Sequence, residues 1–205
     1  MTDEFFSAQF ADVPVMGIFR SQGVHQTLLL AEAAWAAGVR VMEVTLQRPD
    51  DVPALRAVVD AARERGLSVG AGTIISTEQL DDVVSAGAAF TVAPGFDPDV
   101  AIASTNRGLP HIPGVATGTE IQAALRLGLT WQKAFPAERL GPDWVRHQHG
   151  PFPQVSFVAT GGITALSADS FLTAGCRVVA LGSAFADSAE IDKIGALLDE
   201  RAARA

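Results

Sequence analysis

Glycine followed by a short apolar run recurs along this chain, and the stretches between the runs repeat apolar residues at helical spacing. Gly38 leads into Val39, Val41, Met42 and Val44, Gly66 into Leu67 and Val69, and Gly87 into Ala88, Phe90 and Val92. Gly108 leads into Leu109 and Ile112, Gly128 into Leu129 and Trp131, and Gly175 into Val178, Val179 and Leu181. The steps between these glycines are 28, 21, 21, 20 and 47 residues. The last step holds two units, and residues 155–159 supply the missing apolar run. Each glycine suits the left-handed turn just past a helix end, and the run after it suits a buried parallel strand. Between the runs, residues 26–37, 52–64 and 120–127 read as amphipathic helices rich in Ala and Leu.

With residues 14–19 as a first strand, eight strands alternate with helices. Closing such a sheet removes both of its exposed edges. The pattern therefore predicts an α/β fold, one (β/α)8 TIM-barrel domain spanning residues 1–205, with a short N-terminal helix before the first strand. An open doubly wound sheet is the alternative. No Gly-x-Gly-x-x-Gly turn follows the first strand, which argues against dinucleotide binding.

Composition narrows the partners. The net charge of −8 argues against nucleic acid and against an anionic membrane surface. No apolar run reaches the roughly 18 residues of a membrane span, and the N-terminus lacks the basic start of a secretory signal. The expectation is a cytoplasmic protein. A single cysteine, Cys176, excludes an internal disulfide and reads as a small buried residue. The histidines offer no metal signature, and His147 and His149 read as part of a solvated helix end. Neither a metal nor a cofactor is expected.

In a barrel of this kind, chemistry sits at the carboxyl ends of the strands. The chain has 13 arginines but only two lysines, and one of these, Lys133, stands in an apolar strand between Trp131 and Phe135. A surface cation in this sequence is normally arginine, so lysine here points to chemistry arginine cannot perform. A desolvated lysine can lose its proton and attack a carbonyl carbon, whereas arginine stays charged. Glu43, the one acid inside any of the predicted strands, lies among Val41, Met42, Val44 and Leu46. A carboxylate there needs a task or a cation. It suits a proton shuttle for imine chemistry, and a structural ion pair with Lys133 is the alternative. The seventh and eighth strands end in Thr160-Gly161-Gly162 and Gly182-Ser183, where backbone N–H groups and hydroxyls suit a phosphate. Arg20 ends the first strand, and its fork of donors suits a substrate carboxylate.

With Glu43-Val-Thr-Leu, Gly70-Ala-Gly-Thr73, Pro94-Gly95, Lys133-Ala-Phe135-Pro136-Ala137 and Thr160-Gly161-Gly162 in this order, the chain resembles the 2-keto-3-deoxy-6-phosphogluconate (KDPG) aldolase family, some members of which act on 4-hydroxy-2-oxoglutarate (KHG). The resemblance runs from about residue 14 to residue 185. It implies a metal-free class I aldolase and a homotrimer acting on a small 2-keto acid. Lys133 is implied as the Schiff-base lysine and Glu43 as the acid and base. Thr73, Pro94 and Phe135 would line the pyruvyl pocket, and Thr160, Gly161, Gly162, Gly182 and Ser183 would meet the distal phosphate.

Two departures stand out. Many members carry arginine directly after Glu-Val-Thr-Leu, where this chain has Gln47 followed by Arg48; others carry one at the end of the first strand, as Arg20 does here. The carboxylate is therefore assigned to Arg20 with Gln47 as a neutral helper. Ala159 replaces the proline that often precedes Thr-Gly-Gly. The expected reaction is cleavage of 2-keto-3-deoxy-6-phosphogluconate to pyruvate and glyceraldehyde 3-phosphate. The alternatives are KHG, the phosphogalactonate epimer, or a non-catalytic barrel that binds a phosphorylated metabolite.

Overall fold

The computed structural model describes residues 2–20 and 22–203. Helix α1 (Thr2–Gln9) precedes strand β1 (Val15–Arg20), after which strands and helices alternate along the chain. The units are α2 (Val24–Ala36) with β2 (Val41–Thr45), α3 (Val52–Arg63) with β3 (Ser68–Gly72), and α4 (Gln79–Ala86) with β4 (Phe90–Val92). They continue as α5 (Pro98–Asn106) with β5 (His111–Ile112) and β6 (Gly114–Val115), then α6 (Gly118–Arg126) with β7 (Trp131–Ala134). The last are α7 (Ala137–His149) with β8 (Ser156–Thr160), and α8 (Ala165–Thr173) with β9 (Val178–Leu181), before the terminal helix α9 (Ser188–Ala202).

All strand pairs are parallel, and β1 joins β9 as well as β2. The barrel has eight staves although nine strand segments are present among the described residues. Pro113 divides the fifth stave into β5, which pairs with β4, and β6, which pairs with β7. Proline has no N–H to give to a ladder, but its carbonyl still accepts from Lys133 N–H at 2.8 Å. The sequence expectation of an eight-stave barrel with an N-terminal helix holds.

The six repeat glycines, Gly38 to Gly175, all have positive φ, from 67° to 109°. At the end of α4, Gly87 is left-handed and its N–H reaches back to Val84 O, the closure a side chain with Cβ resists.

Two apolar layers follow from strand alternation. Outward-facing residues such as Met42, Val44, Ala134, Phe157 and Val179 pack beneath the helices. Inward-facing Met16, Val41, Phe90, Trp131, Val158 and Val178 fill the lower barrel, which Phe6 and Phe10 close from below. Asp3 tethers this plug by accepting from Thr130 Oγ1 at 2.9 Å and Trp131 Nε1 at 3.1 Å. The lower barrel is thereby filled, and the upper interior lies toward the carboxyl ends of the strands.

Candidate active site

Alternation along β2 puts Glu43 and Thr45 on the same inward face as Val41, and alternation along β7 puts Lys133 above Trp131. Lys133 Nζ lies 3.8 Å from Glu43 Oε1, with the glutamate fully buried and the lysine 5% exposed. That distance exceeds hydrogen-bond reach, so the two groups attract through space. The Phe135 ring stands 5.2 Å from Nζ, within range of a cation–π contact. Burial raises the Glu43 pKa above the ordinary carboxylate range, and the charge of Lys133 opposes that rise. Lys193, by contrast, is an exposed residue of α9 bonded to Glu190 at 2.6 Å, and this hydrogen bond holds its pKa up.

Glycine makes the space for Glu43. A Cβ at Gly72 would lie 1.8 Å from Glu43 Oε1, and one at Gly70 would lie 2.2 Å from the Phe90 ring. The bare inward face of β3 is therefore the volume that the glutamate and the phenylalanine occupy.

Both Glu43 carboxylate oxygens, Thr45 Oγ1 and Thr160 Oγ1 are buried and have no hydrogen-bond partner among the described residues. Thr160 shares the inward face of β8 with Val158. Buried polar atoms are nearly always satisfied, so these atoms facing one interior give it a polar lining able to bond water or a bound molecule. Thr45 was not among the sequence candidates. Strand alternation from Glu43 points to the residue two positions later, a signal the sequence carried.

The remaining candidates stand at the same end of the barrel. Arg20, the last residue of β1, pairs in register with Thr45. It shares the parity of Met16 and Ile18, is exposed, and has no ion-pair partner among the described residues. Arg48 instead turns its guanidinium to Asp51, 3.4 Å away, and Asp51 Oδ2 also accepts from the N–H groups of Gln47 and Arg48. Gln47 is thus fixed through its backbone, one residue beyond the buried Leu46. Thr73 follows β3, Pro94 follows β4, and Phe135 follows β7.

Gly161 and Gly162 make two successive left-handed turns after β8, at φ 95° and 77°. The first brings the backbone against Phe135, where an added Cβ would stand 3.0 Å from the ring. Gly182 and Ser183 follow β9, and Ser183 opens a 3-10 turn ending at Ala186. The start of α8 is capped internally, because Thr164 Oγ1 accepts from Ser167 N–H.

Such an interior can hold a carbonyl compound against a lysine amine, with a carboxylate 3.8 Å from that amine to move protons. Comparison with known proteins points the same way. A model of the KDPG and KHG aldolase family matches residues 7–197. The KHG/KDPG aldolase of Escherichia coli strain K12 is 38% identical over 152 residues, 74% of this chain and 70% of that one. The 2-dehydro-3-deoxy-6-phosphogalactonate aldolase of the same strain is 30% identical over 172 residues, 83% of each. A crystal structure of KDPG aldolase from Legionella pneumophila, with pyruvate captured as a covalent carbinolamine, superposes with a TM-score of 0.80 at 34% identity. That match covers 94% of this chain and 95% of the other.

Proposed function

We propose, from the premise that the chain belongs to the KDPG and KHG aldolase family and is thus a carbon–carbon lyase, that it cleaves 2-keto-3-deoxy-6-phosphogluconate through a Schiff base on Lys133. The observation that carries this reading is the buried pair at 3.8 Å, Lys133 Nζ and Glu43 Oε1, inside a barrel filled from below. The Lys133 amine adds to the C2 carbonyl, and Glu43 passes a proton to the departing hydroxyl, so that water leaves and an iminium forms. The iminium withdraws electrons as Glu43 takes the C4 hydroxyl proton. The C3–C4 bond then breaks, releasing glyceraldehyde 3-phosphate and leaving an enamine on Lys133. Protonation at C3 and hydrolysis release pyruvate and restore the amine. Acid–base assistance of this kind supplies ~10²–10⁴ in rate.

In this reading Arg20 holds the substrate carboxylate with Gln47 as a neutral helper. Thr73, Pro94 and Phe135 line the pyruvyl pocket, and Thr160, Gly161, Gly162, Gly182 and Ser183 meet the distal phosphate. The assembly is a homotrimer, to be checked by light scattering.

Borohydride reduction with pyruvate tests the core of the proposal. One pyruvyl unit should appear on Lys133 by peptide mass spectrometry and be absent in Lys133→Arg; labelling of Lys193, or none, overturns it. In the same assay Arg20→Ala should raise the half-saturating pyruvate concentration roughly 10–150-fold, the worth of a charge-assisted hydrogen bond. Arg48→Ala should change it less than about fivefold, as befits an exposed ion pair. The reverse order moves the carboxylate to Arg48. Pyruvate release from KDPG, its galactonate epimer and KHG then fixes the substrate.

A further inference from the structure

Thr73 has φ 60°, and it is the one non-glycine residue at positive φ among the described residues. A β-branched side chain crowds its own backbone in that region, and such conformations persist where the surroundings over-determine them. At Thr73 the constraint comes from two sides: Ile74 N–H donates to Val92 O at 3.1 Å, and one side chain holds the Thr73 carbonyl and the loop beyond it. Gln79, at the start of α4, accepts through Oε1 from the N–H groups of Ile75 at 2.8 Å and Ser76 at 3.1 Å. Its Nε2 donates to the carbonyl of Thr73 at 3.3 Å and to that of Leu46 at 3.0 Å. A side-chain amide offers two donors and one oxygen with two lone pairs, so Gln79 is used to capacity. The Leu46 carbonyl belongs to the end of β2, itself fixed by Leu46 N–H donating to Gly72 O at 2.8 Å. The amide therefore spans the ends of β2 and β3 and holds the loop after Thr73 from both sides.

We infer that Gln79 is a positioning residue for the substrate pocket: anchored on the Leu46 carbonyl, it keeps Thr73 in the left-handed conformation that sets its side chain at the pocket rim. This deepens the proposed function and rests on its reading of Thr73 as a pyruvyl-pocket residue. The residue type follows from the bonding. Glutamate could accept from both N–H groups, but it would turn a carboxylate oxygen toward two carbonyls and donate to neither. Alanine would release all four groups and leave only the Ile74 N–H bond to Val92 O beside Thr73, so the left-handed conformation would lose its hold on the carbonyl side. Lys133 and Glu43 are held by their own strands, so the consequence falls on substrate affinity rather than turnover.

The test is pyruvate trapping by borohydride, with KM and kcat for KDPG measured alongside. Gln79→Glu and Gln79→Ala should each raise the half-saturating pyruvate concentration and KM roughly five- to tenfold, the scale of a lost hydrogen bond. Turnover should stay within about twofold. Glycine takes φ 60° without strain, so Thr73→Gly removes what Gln79 holds in place. Adding Gln79→Ala to Thr73→Gly should shift half-saturation by less than about twofold. Unchanged affinity in both Gln79 variants overturns the inference. So does a full, multiplicative effect in the Thr73→Gly background, or a loss confined to turnover and thermal stability. If Gln79→Ala does not fold, Gln79→Glu, which keeps both acceptor contacts, carries the comparison alone and in the Thr73→Gly background. A wild-type protein that traps no pyruvate at Lys133 removes the proposed function and this inference with it. A wild type that traps normally beside unshifted Gln79 variants removes only the positioning role.

Discussion

Glu43 carries a carboxylate to a place where water cannot solvate it and where its nearest cation stops 3.8 Å short. Burial raises its pKa, which suits the role proposed for it, giving and taking a proton during one turnover. In the proposed reaction, taking the C4 hydroxyl proton requires the ionised form, so turnover should decline on the acid side through a pKa above the ordinary carboxylate range. Glu43→Gln keeps the shape and removes the shuttle. It should cut kcat by roughly 10²–10⁴ while pyruvate trapping slows but survives, and the acid limb should vanish with it. An unaltered rate and pH profile would leave Glu43 as a structural counter-ion. Both members of this pair were legible in the sequence, because a lone lysine and a lone acid inside apolar strands contradict the pattern around them. Gln79 was not. It lies outside the strand alternation, and only the folded loop brings Leu46, Thr73 and Ser76 around its amide.

Strand β3 shows how an element serves a site without contributing a functional group. Its inward positions, Gly70 and Gly72, are empty so that Phe90 can fill the lower barrel and Glu43 can reach the centre. In the sequence these glycines read as part of a family motif; their value as missing volume depends on which side chains β2 and β4 aim at them. The split fifth stave was likewise hidden, since a run through Leu109, His111 and Ile112 gives no sign that Pro113 hands the pairing from one neighbour to the other. Element boundaries moved little: the helix read over residues 52–64 is Val52–Arg63. Gly72→Ala should therefore do more than a typical glycine change. Overpacking a full interior costs about 1–3 kcal/mol, which for a domain of this size lowers Tm by several degrees. With an added Cβ 1.8 Å from Oε1, Glu43 must also move, so turnover should drop at least tenfold. Gly195→Ala is the matched control. Gly195 lies inside α9 with nothing within 4 Å of the added carbon, so that change should stabilise by about 0.5–1 kcal/mol and leave activity intact. Equal behaviour of the two variants in calorimetry and turnover would refute the packing account.

At the scale of the whole molecule, the barrel was legible because its repeat is physical: each glycine ends a helix and each apolar run begins a stave. What the pattern could not show is the polar seam between the barrel and α5. His111 lies there fully buried, with Nδ1 2.8 Å from Thr91 Oγ1, which in turn lies 2.6 Å from Ser104 Oγ. Ser104 donates to Leu109 O at 3.0 Å, so Thr91 must donate to Ser104, and His111 must donate from Nδ1 to Thr91. This chain of donors fixes the neutral tautomer and leaves Nε2 buried without a partner among the described residues. Burial lowers the His111 pKa to about 4. In the unfolded chain the imidazole titrates near ~6.5, so between those values the unfolded state binds the extra proton. The stability His111 confers is fully present above pH ~6.5 and is lost as the pH falls toward about 4, a change of roughly 3 kcal/mol. Glu43 works in the opposite sense: its raised pKa costs stability as the pH climbs above the ordinary carboxylate range. Acid destabilisation between pH 6.5 and 4 should therefore come largely from the seam rather than from the Lys133–Glu43 pair. Urea unfolding across that window should show wild-type stability falling with pH, and His111→Leu, although weaker at pH 7, should fall by roughly 3 kcal/mol less. Parallel curves for the two proteins would place the acid sensitivity elsewhere.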